Sequence, residues 1–345
     1  MPHCHDPVSS PRAGSTPIPG AGLHSVPAPR IKHKKMNEVS NRTDGGAQEM
    51  AELVADEPAQ LKAEIARLEA ELDDLRLLYD AVMEHGEAVE DQLAQQNLLL
   101  EETQKRLEAE LADAARYLIS MLPEKRQEFP RTDWLLVPST ELGGDSFGYR
   151  RIDEDHFAFY LIDVCGHGVG AALLSVAAIN VLRSPGMAQI DFRDPSQVLA
   201  ALNDMFPMER QGNKFFTIWY GVHNSRTGAL RYATGGHPPA VLLRQNTDGA
   251  VETSQLITVG GMAIGAFPEV EFESATTNIK PGDRLLLISD GTFEVDKPDG
   301  DMLTVDELAA QASKDDSPEG LHAWVRSFVE SEALPDDFSV LRVEF

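Results

Sequence analysis

The sequence has few cysteines, few basic residues and no long apolar run. Its 345 residues include two cysteines, Cys4 and Cys165, which argues against a disulfide framework or a cysteine-rich zinc site. No apolar run approaches the roughly 20 residues that a membrane-spanning helix needs. The first residues also lack the apolar core of a signal peptide. We therefore expect a cytoplasmic protein with no membrane segment.

The shortage of basic residues limits the classes of partner. The chain has 30 Lys and Arg against 56 Asp and Glu, a formal net charge of −26. Nonspecific binding to nucleic acid depends on neutralising phosphates with basic side chains, and docking on an anionic membrane has the same requirement. We expect neither partner. The acidic surplus fits divalent-metal binding, although solubility alone explains it equally well.

The first 50 residues are rich in proline, serine and glycine. Such a segment buries too little apolar surface to offset the entropy of an ordered chain, so residues 1–50 are predicted to be a disordered tail. Met36 is a second candidate start of translation beside Met1, and the sequence does not choose between them.

A heptad repeat follows the tail and predicts a coiled-coil helix over residues 58–122. A lone helix of this length would leave its apolar seam in water, so we expect a homodimer, most simply a parallel one. The alternative is that the helix folds back on its own globular domain. The spacing shifts by a four-residue stutter near Leu107, and Pro123 ends the pattern. The apolar seam consists of Leu61, Ile65, Leu68, Leu72, Leu75, Tyr79, Val82, Val89, Leu93, Leu100 and Leu107.

Residues 130–345 mix short apolar strands with a few amphipathic or apolar helices. Several hairpin signals separate the strands, and strict strand–helix alternation is missing, so the pattern predicts an α+β domain with a single well-buried core. The segment 169–184 is apolar nearly all round, so we expect its helix to be buried between layers.

Acidic residues stand at the ends of the most apolar strands. Asp163 and Asp290 each end such a run, and Asp336 and Asp337 immediately precede the last one. Carboxylates that converge repel one another unless a cation neutralises them, and all-oxygen ligands favour Mg²⁺ or Mn²⁺. Two such ions about 4 Å apart can support hydrolysis of a phosphate ester. Each Asp is also compatible with a turn or cap role, and the pattern alone leaves both readings open.

The stretch "GGDSF" raises a different possibility. Gly143-Gly144-Asp145 followed by Phe147 resembles the GGDEF signature of cyclic dinucleotide synthases. That signature would lie in mid-domain, after a nucleotide-binding half. Only the predicted coiled coil precedes Gly143, which argues against this interpretation.

Several blocks together resemble the PPM-type metal-dependent Ser/Thr protein phosphatases of the bacterial SpoIIE/RsbU-like branch. The resemblance covers residues 130–345, keeps the blocks in the family's order, and implies an antiparallel β-sandwich flanked by α-helices and preceded by a long coiled-coil helix. The blocks are "GGD" (143–145), "DVCGHGVGAALLS" (163–175), "YATGGHPPAVLL" (232–243), "GGMAIGAF" (260–267), "SDGTFEV" (289–295) and "DDFSVLRV" (336–343).

The resemblance also implies roles for individual residues. Asp163 would bridge two metal ions, Mn²⁺ or Mg²⁺, and the backbone carbonyl of Val164 would bind one of them. Asp290 and Asp336 would complete the two sites. Asp145 would act at the rim, directly or through water. Asp163 and Asp290 are therefore the expected catalytic positions.

Other residues in these blocks are weaker candidates. Asp337 is either an additional metal ligand or a structural neighbour of Asp336. Many relatives carry an Asp where this chain has Gly148. This difference argues against an auxiliary role for the "GGD" block at 143–145. His167 is either a proton donor to the leaving oxygen or, as we favour, a turn residue. We interpret His237 as a structural turn residue and Cys165 as a small buried residue.

The implied activity is removal of phosphate from phosphoserine or phosphothreonine on a regulatory protein. In the branch that the chain resembles, the usual substrates are anti-anti-sigma proteins of the STAS type, attacked in line by a metal-activated hydroxide. The coiled coil is then a candidate regulatory element. The alternative is a catalytically silent PPM-like binding module that sequesters its partner.

Overall fold

The computed structural model describes residues 46–139, 142–184, 190–258, 261–298, 300–331 and 333–345, with side chains from residue 58 onwards. The described chain divides into two compact units, residues 46–103 and residues 104–345. Most of the predicted disordered tail, residues 1–45, lies outside the described residues. No helix in the described part of the chain is long and apolar enough to cross a membrane.

A single helix, α1 (Gly46–Ser120), forms the whole of the first unit and extends into the second. It begins before the predicted residue 58, so residues 46–50 of the expected tail are helical. Ion pairs one turn apart, Arg67 with Glu64 and Arg76 with Asp73, line its surface. Each such exposed pair contributes only a few tenths of a kcal/mol.

The leucine seam of this helix is open in the isolated chain. Leu61 is 61% exposed, Leu72 50% and Leu100 65%. A helix with a continuous exposed apolar stripe has gained little of the burial energy available to it, about 25 cal/mol per Å². The coiled coil and the homodimer therefore stay predictions that the exposed seam motivates.

The second unit is built on two five-stranded sheets in which every strand pair is antiparallel. The first sheet has the strand order β1-β10-β9-β6-β7 and the second β2-β3-β4-β5-β8. The strands of the first sheet are β1 (Arg131–Val137), β6 (Ala240–Gln245), β7 (Val251–Leu256), β9 (Arg284–Ile288) and β10 (Phe338–Glu344). Those of the second are β2 (Ser146–Arg151), β3 (His156–Val164), β4 (Phe216–Asn224), β5 (Ala229–Gly235) and β8 (Ala275–Asn278).

Helices cover the outer faces of both sheets. The helices α2 (Val169–Arg183) and α3 (Pro195–Met205) pack on the second sheet, and α4 (Val305–Ala312) and α5 (Pro318–Arg326) pack on the first. The described residues form three apolar cores, one between the sheets and one under each helical layer. The predicted α+β antiparallel sandwich flanked by helices is confirmed, although it has three cores instead of one.

One expectation about α2 is wrong. The helix buries one face, with Ala171, Leu174 and Ala178 against the second sheet, but Val169 is 50% exposed and Leu173 62% exposed. Apolar residues on every face of α2 predict burial on every face, but the second sheet covers only one of them.

The exposed seam generates a prediction about self-association. Leu72→Asp places a charge in the seam, where dimerisation would desolvate it. The dissociation constant of the dimer should therefore rise at least tenfold. Leu77→Asp, an equally drastic change on the same helix but outside the seam, is the matched control. Light scattering or sedimentation measures both. A Leu72→Asp protein that stays dimeric would place the contact elsewhere in the molecule.

Candidate active site

Asp163 lies at the end of β3, where the strand leaves the core. The residues before it are buried, and Asp163 is opposite Thr217 of β4 in the antiparallel register. Two glycines with left-handed backbone follow, Gly166 (φ 78°) and Gly168 (φ 84°). Glycine adopts this conformation without a steric penalty, so the chain turns sharply from β3 into α2 and leaves Asp163 at the edge of the sandwich.

Asp290 and Asp336 reach the same edge from the first sheet. Asp290 follows β9 and opens a short 3₁₀ helix, and Asp336 lies two residues before β10. Because β9 and β10 are paired neighbours, their ends meet. A β-carbon on Gly291 would lie 2.3 Å from the carbonyl oxygen of Asp337, so only glycine permits this approach.

A serine pair fixes the two strand ends to each other. The hydroxyl of Ser289 donates to the carbonyl oxygen of Asp337 at 2.9 Å and accepts from the backbone N–H of Ser339 at 3.0 Å. Ser289 is the residue before Asp290, and the carbonyl that it contacts belongs to Asp337, the residue after Asp336. The spacing of the two carboxylates is thus set by backbone contacts.

The carboxylates of the two sheets interact electrostatically. Burial raises the pKa of Asp163 well above its usual value, and Asp290, Asp336 and Asp337 raise it further. Burial, then Asp336 and Glu294, raises the pKa of Asp290 to about 7. The pKa of Asp336 is also raised, by partial burial and by its acidic neighbours. These shifts are what closely placed carboxylates show when no cation neutralises them.

Asp145 contributes a fourth carboxylate from the loop that leads into β2. The residue is 8% exposed, and its Oδ2 atom has no hydrogen-bond partner. Burial raises the pKa of Asp145 well above its usual value, with further contributions from Asp163 and Asp337. A buried carboxylate oxygen without a donor is costly, and a cation is one way to satisfy it.

Asp337 uses its carboxylate differently. Its Oδ1 accepts from the backbone N–H of Ser139 at 2.8 Å and from the hydroxyl of that residue at 3.0 Å. Its Oδ2 accepts from the backbone N–H of Gly144 at 2.7 Å. A β-carbon on Gly143 would lie 2.3 Å from the same oxygen. Asp337 therefore ties the Gly143–Asp145 loop to the start of β10.

The remaining sequence candidates lie around this cluster without joining it. His167 is exposed on the turn after Asp163 and lowers the pKa of Asp336 slightly. Cys165 is half-buried, and its sulfur accepts from the backbone N–H of Phe215 at 3.3 Å. His237 is buried, its Nδ1 lies 2.7 Å from the hydroxyl of Thr217, and burial lowers its pKa to about 3. A neutral buried His237 fits the predicted structural role.

Sequence reasoning missed three side chains that shape the site. Ser139 and Ser289 hold the loops that carry the acidic residues, and Glu294 raises the pKa values of Asp290 and Asp336. Ser289 and Glu294 fall inside the "SDGTFEV" block, so the block itself was the available signal. Nothing local in the sequence marks Ser139, whose partner is 198 residues away.

The donor set fits a hard divalent cation by its chemistry. The candidate ligands are all oxygens, one of them lacks a donor, and neighbouring carboxylates raise one another's pKa. Within the described residues, however, no three His, Cys, Asp or Glu side chains already converge as a ready-made metal site. The fold brings the acidic residues to one edge of the sandwich, but no three of their side chains are arranged around a common metal position.

The family match agrees with this arrangement. The sequence profile described as "Stage II sporulation protein E (SpoIIE)" matches residues 153–345, more than half of the chain. The chain belongs to the SpoIIE family. The match includes Asp163, Asp290 and Asp336, whereas the loop that carries Asp145 lies before its first residue.

Two curated relatives of this SpoIIE-family chain are phosphoserine phosphatases of Bacillus subtilis (strain 168). RsbP is 28% identical over 159 residues, which are 45% of this chain and 38% of RsbP. RsbU is 24% identical over 232 residues, which are 64% of this chain and 66% of RsbU. The chain thus spans less than two thirds of the length of either relative.

Two solved structures show the same fold. The SiaA-PP2C domain of Pseudomonas aeruginosa has a TM-score of 0.58 at 20% identity. The match covers 70% of this chain and 98% of the SiaA chain. The PP2C phosphatase domain of SpoIIE from Bacillus subtilis, with a fragment of its regulatory domain, has a TM-score of 0.51 at 19% identity and covers 64% of each chain.

The loop anchor generates a stability prediction. Asp337→Asn removes the charge from at least two backbone hydrogen bonds and should destabilise the domain by about 2–3 kcal/mol. Asp336→Asn is the matched control, because within the described residues that carboxylate accepts only from the adjacent backbone N–H, at 2.7 Å. Urea unfolding without metal measures both. Equal stabilities for the two variants would contradict the anchoring role.

The raised pKa values generate a pH prediction for the metal-free protein. A folded-state pKa of about 7 for Asp290, against an ordinary value near 4, means that the folded state binds more protons between these values. Its stability is therefore fully present at low pH and is lost as pH rises towards 7.

Thermal unfolding with a chelator between pH 5 and 8 measures this slope. Asp290→Asn should make the fall shallower, because each unit of pKa shift corresponds to about 1.4 kcal/mol. Asp204→Asn, a change of an exposed carboxylate on α3, should keep the wild-type slope. Wild-type and Asp290→Asn curves that run parallel would show that Asp290 does not titrate in this way.

Proposed function

We propose that this protein is a metal-dependent phosphatase that removes phosphate from serine or threonine on a regulatory protein. The observation that carries the proposal is the meeting of Asp163 with Asp290 and Asp336, from two different sheets, in one cluster of mutually perturbed carboxylates. Membership of the SpoIIE family and two relatives named phosphoserine phosphatases support it.

The proposed cofactor is a pair of Mn²⁺ or Mg²⁺ ions. Asp163, the carbonyl of Val164, Asp290 and Asp336 would hold them, and Asp145 would complete the set with its unpartnered oxygen. When bound, such ions lower the pKa of water and neutralise charge on a phosphoryl group. Asp337 is assigned to loop anchoring, because both of its oxygens are already occupied by hydrogen-bond donors.

The chain's own residues position the candidate metal ligands. The backbone contacts of Ser289 fix the spacing of Asp290 and Asp336, and Asp337 fixes Asp145 through the preceding glycine. Asp336 remains accessible to solvent at the sandwich edge. A phosphorylated side chain on another protein can therefore approach from outside without an opening of the fold.

The finer features of the proposed function rest on the family resemblance and on the sequence pattern. A phosphorylated anti-anti-sigma protein of the STAS type remains the proposed substrate, on the resemblance to the SpoIIE/RsbU-like branch. A homodimer through α1 is proposed on the heptad pattern and the exposed seam. Regulation through that helix and a cytoplasmic location are proposed on the sequence pattern alone. The silent binding module is the competing function, and it is favoured by the absence of a ready-made metal site among the described residues.

Metal-dependent turnover distinguishes the two functions. Hydrolysis of p-nitrophenyl phosphate should require Mn²⁺, and Asp290→Asn should lower kcat/KM by at least about 100-fold, because metal assistance contributes several kcal/mol and each 1.4 kcal/mol is tenfold. Asp204→Asn is the control and should retain wild-type turnover.

A second measurement interprets a negative result. If wild type and both variants fail to hydrolyse the ester, calorimetric titration with Mn²⁺ separates the remaining options. Binding of two ions, weakened by Asp290→Asn, would indicate a phosphatase that needs its partner for activity. No ion binding would favour the silent module.

A further inference from the structure

A phosphatase built from this cluster faces an electrostatic problem at its entrance. The substrate phosphate carries close to two negative charges at neutral pH, and the site that must receive it is lined by acidic residues. The bound metal ions would offset part of that repulsion. A cation supplied by the chain, placed beside the carboxylates and not paired with one of them, would help to orient the incoming phosphate.

Lys214 lies at the place where such a cation would be expected. It stands two residues before β4, and that strand pairs Phe216 with Val164. The pairing continues past the strand end, because the backbone N–H of Cys165 donates to the carbonyl of Phe215 at 3.0 Å. Lys214 is thus opposite Gly166, on the turn that directly follows Asp163.

The side chain of Lys214 lies along that turn. Its Cε is 2.9 Å from the position of a β-carbon on Gly170, and its Nζ is 3.8 Å from the position of one on Gly166. The carbonyl oxygen of Gly166 is in turn 3.2 Å from the β-carbon position of Gly144, next to Asp145. A side chain on Gly170 would displace the lysine.

Lys214 is half-buried and available for a ligand. Within the described residues it takes part in no ion pair and in no side-chain hydrogen bond. Arg244 of the same domain, by contrast, pairs with Asp283. Burial and other carboxylates are the leading contributions to the raised pKa values of Asp145 and Asp163, and the ammonium group is placed by its distance to the turn at Gly166.

We infer that Lys214 is a substrate-binding residue whose ammonium group contacts the phosphoryl oxygens of the phosphorylated side chain. The inference rests on the proposed phosphatase function and extends it to the recognition of the phosphate. A lysine suits this position because its compact charge contacts phosphate from one side without the planar, two-point geometry that an arginine requires. No covalent step involves Lys214, so its role is binding and orientation.

The test compares Lys214→Gln and Lys214→Arg with the wild type and with Lys314→Gln, which changes an exposed lysine after α4. Each protein is assayed with p-nitrophenyl phosphate and Mn²⁺. Binding of inorganic phosphate to the Mg²⁺-loaded protein is measured by calorimetry. A separate titration with Mn²⁺ alone reports the metal sites.

Lys214→Gln should raise KM and the dissociation constant for phosphate by about tenfold, the size of one charge-assisted hydrogen bond. Affinity for Mn²⁺ should not change, Lys214→Arg should recover part of the phosphate binding, and Lys314→Gln should match the wild type. Wild-type turnover with KM and phosphate affinity unaffected by Lys214→Gln would overturn the inference. An equal loss of Mn²⁺ affinity would also overturn it, because the lysine would then act through the metal site.

The outcomes also separate this inference from the proposed function. If the wild type has no turnover but binds phosphate in a Lys214-dependent way, the phosphate site stands, and the Mn²⁺ titration decides between a phosphatase that needs its partner and a silent module. If Mn²⁺ binds but phosphate does not, the inference about Lys214 fails and the proposed function does not fail with it. If neither binds, both fail.

Discussion

The repulsion among carboxylates at one edge of the sandwich is the constraint on which the rest of the site depends. Asp145, Asp163 and Asp290 are held where burial and like charges raise their pKa values. In the absence of a cation such an arrangement is unfavourable, so it persists only because the surrounding structure enforces it. The two sheets supply that enforcement, since each packs on the common core between them.

Backbone contacts transmit this enforcement to the acidic side chains. The Gly143–Asp145 loop is held by a carboxylate from the start of β10, and the ends of β9 and β10 are held by one serine hydroxyl. Glycines at 143 and 291 permit the contacts, because a β-carbon at either would lie 2.3 Å from an oxygen of Asp337. The glycines of the sequence blocks therefore have two roles. Some permit close packing around the site, and others permit sharp turns of the chain.

Short sequence patterns predicted those parts of the site that depend on neighbouring residues in the chain. An apolar run that ends in Asp and Gly marks Asp163 and Asp290 as strand-end carboxylates, and the heptad repeat marks α1. The sequence leaves open whether Asp337 binds metal or anchors a loop, because the anchoring depends on a hydrogen bond from Ser139, 198 residues away. Lys214 carries no motif at all. Its proximity to Gly166 arises from the pairing of β3 with β4, and a single sequence does not state which strands pair.

The last turns of α1 extend this reasoning beyond the acidic cluster. Within the second unit, Leu118, Ile119 and Leu122 line a cavity whose other walls include Asp145 and Ser175 of α2. Arg183 of α2 donates to the carbonyl of Met121 at 2.7 Å. Close-packed interiors transmit strain, so a shift of the helix end would change the surroundings of a buried carboxylate whose Oδ2 atom has no hydrogen-bond partner. The segment that continues the leucine seam therefore borders the same cavity as the loop on which the candidate metal site depends.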